Sequence, residues 1–423
     1  MDKLKYLDLF AGAGGLSEGF LQTSMFKDIA SVEWLKPQVD TLRRRLKDKW
    51  GCIDSDNTVM HFDIQREEEL FNGWSDLKFG MGKGLDYFVE KANGIDIVIG
   101  GPPCQAYSIA GRVRDSNGMR DDYRNYLFEH YLSVVKRYEP KFFIFENVPG
   151  MLSARPGLGP LISELVTEGF SSIGYEIVDS LKNYAVVNAK DYGVPQSRKR
   201  VIIIGVNKKF VSKEINIQDE LKNFYINILP KYKSQREITV EEAIGDLQKF
   251  KPLRDNGSHS QKEAYVPINN SGRMISWHKP RYHSLRDIEI FHMLAKDIEK
   301  GTGLYSDSKK LSDLYEEKVG SKSPIHRYHV LRPNKPSTTI IAHLYKDGNR
   351  FIHYDSEQSR TITPREAARL QTFDDDFEFI GSQGATYQMI GNAVPPKLAK
   401  AIAQAINDLY NTIMGKMSKS NIV

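Results

Sequence analysis

The sequence predicts a doubly wound α/β domain carrying a second, smaller domain, on three observations. Short, continuously apolar runs alternate with amphipathic stretches as far as about residue 205. A Gly-rich turn joins the first apolar run to a helix-forming stretch. Residues 206–331 break the alternation: they are polar, rich in Lys, Asn and Ser, and lack long apolar runs. The predicted division is 1–205 completed by 332–423, with 206–331 as the second domain.

The elements follow in order. "YLDLF" is the first strand, ending in "AGAGG", with a helix from about Leu16. "IASVE" is the second strand and "PQVDTLRRRL" the helix after it. "IDIVIGG", "FFIFEN" and "RVIIIGV" are apolar throughout, as expected of strands covered on both faces. Beyond the polar segment, "TPREAARLQTF" opens a helix with Pro followed by good helix formers. "PPKLAKAIAQAINDL" repeats that design and predicts a final helix from about Pro395, packed back beside the first strand. The last residues, "GKMSKSNIV", read as a frayed tail.

Composition narrows the class. The 423 residues are too many for one ordinary domain of ~150 residues. With 40% hydrophobic and 27% charged residues, this is the composition of a soluble chain with a sizeable core. No run approaches the ~18 apolar residues of a membrane span, and the first residues enter a strand pattern with no room for a signal peptide. Two cysteines make no disulfide framework, so a reducing cytoplasm is expected. The ten histidines have no ligand spacing, and no metal is expected. Residues 206–331 hold 22 Lys and Arg against 17 Asp and Glu, so the whole net charge of +5 lies there. That asymmetry suits a polyanionic partner.

Two constellations carry chemistry. In "DLFAGAGGLSEGF" the turn places Gly12, Gly14 and Gly15 where backbone must pass close to a ligand, and Glu33 at the end of the next strand is set to accept from ribose hydroxyls. Ser17 stands where a dinucleotide pattern has its third glycine, which favours a ligand without pyrophosphate, such as S-adenosylmethionine. The second constellation sits at three other strand ends: Cys104 in "GGPPCQ", Glu146 in "FENVPG", and Arg198 and Arg200 in "QSRKRV". Strand ends of an open α/β sheet face one crevice, so these residues can converge, and a guanidinium there raises the thiolate fraction. The bland alternative makes Cys104 a small filler and Glu146 a structural partner of Arg198. Cys52 has no such company and reads as a passive thiol.

"DLFAGAGG", "PPCQ", "ENV", "QSRKR", "TPREAARLQTF" and "GNAVPP", in that order, resemble the DNA (cytosine-5)-methyltransferase family of prokaryotic restriction–modification systems. The likeness covers nearly everything outside 206–331. It departs at Tyr107, where Phe is usual, at "FDI" (62–64) in place of Gly-Asp-Ile, and at Asp374 in place of Pro. The resemblance implies an S-adenosylmethionine-dependent, Rossmann-like domain and a target-recognition domain. It implies that Cys104 adds to C6 of a flipped-out cytosine, that Glu146 holds the N3 and N4 edge, and that Arg198 contacts the base carbonyl with Arg200 bracing the site. Phe10, Gly12, Gly14 and Leu16 would cradle the cofactor, and Glu33, Trp34, Asp63 and Ile64 its adenosine. Pro103 and Leu127 would line the methionine side, with Asn392 and Ala393 closing it and S-adenosylhomocysteine leaving as product.

Double-stranded DNA is the implied partner. Ser108 and Arg112, in a Gly-containing stretch suited to closing over DNA, are candidate contacts. So are Arg273, Lys279, Arg281 and Arg286 in "RMISWHKPRYHSLR", which has no acidic residue and interleaves Trp277 and Tyr282. A monomer acting on the cytoplasmic nucleoid, with a separate cognate restriction endonuclease, completes the expectation. A tRNA cytosine-5 methyltransferase would carry Cys-Phe-Thr, which is absent here, and an inactive DNA-binding relative would not need Cys104, Glu146 and Arg198 together.

Overall fold

The computed structural model describes residues 2–103, 127–155, 159–253, 264–305, 307–321, 328–346 and 348–420. They form two compact units: Met1–Tyr192 with Lys199–Gln235 and Val394–Val423, and Gly193–Arg198 with Arg236–Ala393.

The first unit is built on β1 (Leu4–Leu9), β2 (Phe26–Glu33), β3 (Val59–His61), a small antiparallel pair β4 (Trp74–Asp76) and β5 (Gly80–Gly82), then β6 (Ile97–Gly100), β7 (Phe142–Asn147), β8 (Tyr175–Ile177), β9 (Val186–Asn188) and β10 (Lys199–Asn207). Eight of these make one sheet in the order β3-β2-β1-β6-β7-β10-β8, with β9 also on β10. The half from β3 to β7 is parallel, and β10 runs antiparallel to β7, β8 and β9. The long apolar runs are its centre: Ile97–Ile99, Phe142–Phe145 and Val201–Ile204 are buried.

The helix after β1 spans Gly15–Leu21, and the one after β2 spans Lys36–Trp50 with Pro37 in its first turn. The last helix, Pro396–Ser420, packs against Gly15–Leu21. A Cβ on Gly19 would fall on Ala399 and on the backbone of Lys400, so only glycine allows that approach. This helix continues through 415–420, where the sequence suggested a frayed tail. Lys416 reaches Glu220 as an ion pair and ties the end down.

The units divide later than the composition change at 206. After β10 the chain stays on the sheet: Tyr225 donates its hydroxyl to Ile202 O (2.8 Å) and accepts from Ile204 N, and Tyr232 donates to Asp408 of the last helix (2.8 Å). Residues 236–393, by contrast, enclose a core of their own. It contains the pair β11 (Phe250–Pro252) and β12 (Tyr265–Pro267) and the helices Leu285–Lys300, Ser308–Val319, Pro364–Leu370 and Gln383–Asn392. Ile290, Phe291, Leu294, Val330 and Ile352 make its apolar cluster.

Beside that cluster lies a buried ion pair. Both guanidinium Nη atoms of Arg360 donate to Glu366 (2.6 and 2.7 Å), each residue being 1% exposed or less. Thr363 caps the helix Pro364–Leu370 reciprocally with Glu366, which uses the Thr-Pro-Arg-Glu spacing. The Arg360 charge holds the Glu366 carboxyl well below the usual range despite its burial.

Candidate active site

At the end of β1 the chain turns through left-handed residues: Phe10 (φ 57°), Gly12 (58°) and Gly14 (85°). A phenylalanine in this region is strained, so the turn is held from outside. Ala11 N bonds to Val32 O (3.1 Å), and Gly12 N donates to Glu33 Oε2 (2.9 Å). Glu33 Oε1 accepts from Leu35 N (2.7 Å), and the Gln38 amide donates to the same carboxylate when its nitrogen faces it (3.0 and 3.2 Å). Glu33 thus fixes the glycine turn. Burial pushes its pKa up, opposed by the backbone N–H groups it accepts from.

Trp34 beside it is 41% exposed, Ile64 is buried, and half-buried Asp63 accepts from Gln65. Leu16 is buried in the first helical turn, and Leu127 is buried at the start of the helix Leu127–Tyr138. Beneath the turn is a residue that belongs to neither constellation. Asp8, fully buried in β1, accepts from Ser17 Oγ (2.6 Å), and burial raises its pKa well above the carboxylate range. A charged residue inside the apolar "YLDLF" run was the available signal. Glu18 is likewise buried, on Arg45 (2.7 Å) and Trp50 (3.0 Å).

Glu146 lies at the end of β7, 8% exposed, and its Oε1 meets Arg200 Nε at 2.8 Å. β10 sets this contact. Ile202 is registered opposite Glu146, so Arg200, two residues away on the same face, is its diagonal neighbour. On the other side, a Cβ on Gly101 would stand 2.6 Å from Glu146 Oε2, so the glycine after β6 leaves room for the carboxylate. Asn147 reaches back across the β6–β7 end, donating to Pro102 O (3.5 Å) and accepting from Val148 N (2.8 Å).

Pro103 is the last described residue before Cys104, which lies outside the described residues together with Ser108 and Arg112. Cys52 is half-buried, near Thr58 Oγ1 (3.9 Å), and burial raises its thiol pKa, in keeping with a passive role.

The remaining candidates lie in the second unit. Arg198, 1% exposed, donates to Ile340 O (2.7 Å) and Gly391 O (3.0 Å). The ion-pair partner of Glu146 is therefore Arg200, where the bland alternative had Arg198. Asn392 ends the helix Gln383–Asn392, and Gln371 Nε2 ties that end by donating to Ile390 O (2.6 Å) and Ala393 O (3.3 Å).

Among the basic candidates, Arg273 is exposed and stands 3.7 Å from Asp246 and 3.5 Å from Asp375. Lys279 is exposed, and among the described residues Arg286 pairs with its neighbour Asp287 (3.1 Å). Arg281 turns inward: Nε donates to Thr361 Oγ1 (3.0 Å), and Nη1 and Nη2 to Tyr345 O (2.8 Å) and Leu344 O (3.4 Å). These three donors brace the unit. Trp277, at φ 65°, is pinned through Nε1 to Phe379 O (3.1 Å). Among the described residues no group of His, Cys, Asp and Glu could hold a metal ion, and no helix is long and apolar enough to cross a membrane.

A mixed sheet with a glycine turn, an adjoining carboxylate and an acid–guanidinium pair at other strand ends is the arrangement of an α/β group-transfer enzyme. Residues 4–408 match the C-5 cytosine-specific DNA methylase family, and the chain belongs to it. The type II methyltransferase M.Bpa9945I of Bacillus paralicheniformis is 32% identical, over 96% of this chain and 99% of its own. The type II methyltransferase M1.HphI of Haemophilus parahaemolyticus is 30% identical, over 95% of this chain and 86% of its own. Among solved structures, a prophage-encoded protein assigned as a DNA modification methyltransferase (E. coli) is 25% identical. It aligns with a TM-score of 0.61 over 97% of this chain and all of its own.

Proposed function

We propose that this chain methylates C5 of a cytosine within a short duplex DNA sequence, with S-adenosylmethionine as donor. It would act as a monomer on cytoplasmic, nucleoid DNA and as the modification partner of a separate restriction endonuclease. Membership of the family and the type II relatives support the reaction class. The observation that carries the site is the Glu146–Arg200 pair (2.8 Å) at the strand ends beside Gly101-Pro-Pro, one residue from Cys104.

The glycine turn suits the donor. Its backbone is left-handed and closely held, Ser17 stands where a dinucleotide-binding turn has its third glycine, and Glu33 at its rim can accept from ribose hydroxyls. Trp34, Asp63 and Ile64 would meet the adenine, and Phe10, Gly12, Gly14 and Leu16 the rest of the cradle. Pro103 and Leu127 would lie on the methionine side, with Asn392 and Ala393 closing the site. Bound there, S-adenosylmethionine supplies a methyl group on an electron-poor sulfonium.

The base arrives from outside the stack, at a cost of a few kcal/mol for flipping. Cys104 attacks C6 as its thiolate and makes C5 an electron-rich, enamine-like carbon. Glu146 holds the N3 and N4 edge as charge develops there, and Arg200 fixes the carboxylate in place. Arg198 is assigned to the base carbonyl and the architecture around it. After methyl transfer, loss of the C5 proton and of the cysteine restores the ring. Residues of the second unit would read the flanking sequence: Arg273, Lys279, Arg281 and Arg286 are the candidates there, and Ser108 and Arg112 belong to the covering loop. Incubating the protein with duplex DNA and methyl-labelled S-adenosylmethionine, followed by bisulfite sequencing, tests the reading. Label at one cytosine of one recurring sequence is expected; label on RNA only, or none, refutes it.

A further inference from the structure

Between β3 and β6 the hairpin β4–β5 corresponds to none of the sequence motifs. Its base rests on Phe62, the residue immediately before Asp63 and Ile64. The Trp74 ring stacks on Phe62 at 3.9 Å, and the Phe79 ring meets Phe62 edge-on at 5.2 Å. Its turn is fixed from both sides. Asp76 Oδ1 accepts from the N–H groups of Lys78 (2.8 Å) and Phe79 (2.7 Å). Asp76 Oδ2 pairs with Arg66 at 2.6 Å, and the Arg66 guanidinium lies 4.8 Å over the Phe62 ring. A turn closed by an aspartate in this way delivers its tip residues to a set position.

Leu77 at that tip points fully into solvent. Lys78 instead folds back over the protein, with Nζ 4.9 Å from the centre of the Trp34 ring and 4.7 Å from that of Phe79. Trp34 is a large aromatic left 41% exposed at the end of β2, directly after Glu33. Phe62 N bonds to Glu33 O (3.1 Å), so the hairpin spans the gap between the two strand ends that carry Trp34 and Asp63.

We propose that Lys78 is a positioning residue for the donor. Its ammonium, 4.9 Å from the centre of the indole, holds the Trp34 ring, so that the side chain that would meet the adenine is set before the ligand arrives. The inference rests on the proposed cofactor site. An exposed indole without this partner would have to be ordered on binding, and that ordering is subtracted from affinity. A cation over an exposed indole corresponds to a factor of about 2 to 5 in an equilibrium constant. Because the contact lies at the adenosine end, it acts equally on ligands that differ only at sulfur.

The test is calorimetric, without DNA, on S-adenosylmethionine and S-adenosylhomocysteine separately. Lys78→Ala is expected to raise Kd for both by the same factor of about 2 to 5 while leaving Tm unchanged, since the side chain is exposed. Lys78→Arg restores the affinity, and in a Trp34→Ala background Lys78→Ala adds nothing. Wild-type Kd in Lys78→Ala, an equal loss with and without Trp34, or an effect on only one of the two ligands overturns the proposal. Glu33→Ala and Trp34→Ala separate the two failures. If neither weakens either ligand, the cofactor site itself is misread; if both do and Lys78→Ala does not, only the positioning role falls.

Discussion

Gly101→Ala is the sharpest probe of the Glu146 site, because it adds one methyl group and removes none of the reacting groups. A Cβ at 101 would lie 2.6 Å from Glu146 Oε2, whereas ordinary contact begins near 3.4 Å. The carboxylate would have to withdraw by about 0.8 Å, the difference between those two separations. Its other oxygen is held by Arg200 at 2.8 Å, so the group pivots away from the geometry that would meet a cytosine edge. The backbone at 101 is not left-handed, so alanine brings no conformational strain and stability should change little. Displacement of about 1 Å at a reacting centre costs on the order of a hundredfold in rate. Gly101→Ala should therefore lower kcat by roughly ten- to a hundredfold, with Tm and S-adenosylmethionine affinity close to wild type. Single-turnover methylation of a defined duplex measures the rate, and calorimetry the affinity. Wild-type kcat in a folded Gly101→Ala protein would refute the placement of Glu146 at the base.

Glu366→Gln leaves Arg360 buried with half its partner and should destabilise the second unit by about 3–5 kcal/mol, read as a fall in Tm. Because the folded-state pKa of Glu366 is depressed, its contribution is complete above the unfolded carboxyl pKa and is lost as pH falls toward the folded value. The Tm gap to wild type should thus be constant near neutrality and close below about pH 5. Glu33→Ala should weaken donor binding far more than Glu146→Gln, and Glu146→Gln should lower the methylation rate far more than donor affinity; calorimetry and initial rates separate the two. Arg281→Ala should lower Tm through the loss of three internal hydrogen bonds. Arg273→Ala should leave Tm alone and either relax the methylated sequence or reduce the salt dependence of DNA binding.

Much of this was legible in the chain because burial leaves a periodic trace. The runs around Ile97, Phe142 and Val201 have the continuous apolar character expected of covered strands, and each occurs as one. The direction of β10 could not be read, since an apolar run records that both faces are buried and not which way the strand points. For the same reason, which arginine meets Glu146 was open. The answer depends on the antiparallel register that puts Ile202 opposite Glu146, and Arg198 lies before β10 begins. The division of the chain was displaced because charge changes at 206, whereas the packing of Tyr225 and Tyr232 holds the chain to the first unit for another thirty or so residues. Lysines and arginines in a polar run carry no mark of their orientation, so Arg281 and Arg273 looked alike until their partners were known. The hairpin at Lys78 leaves no trace in the sequence, because it depends on Phe62, Trp74 and Phe79 meeting across a turn, with no motif spacing of their own.

The central claim, that Cys104 forms a covalent bond to the cytosine ring, is tested most directly by a duplex carrying 5-fluorocytosine at the methylated position. That base has no removable C5 proton, so the reaction should stop after methyl transfer with enzyme and DNA still joined. With S-adenosylmethionine present, wild-type protein should give a denaturation-resistant adduct on a gel, with the modified peptide containing Cys104. Cys104→Ala should bind the same duplex and give none. An adduct that survives this substitution, or one that maps to Cys52, would contradict the account.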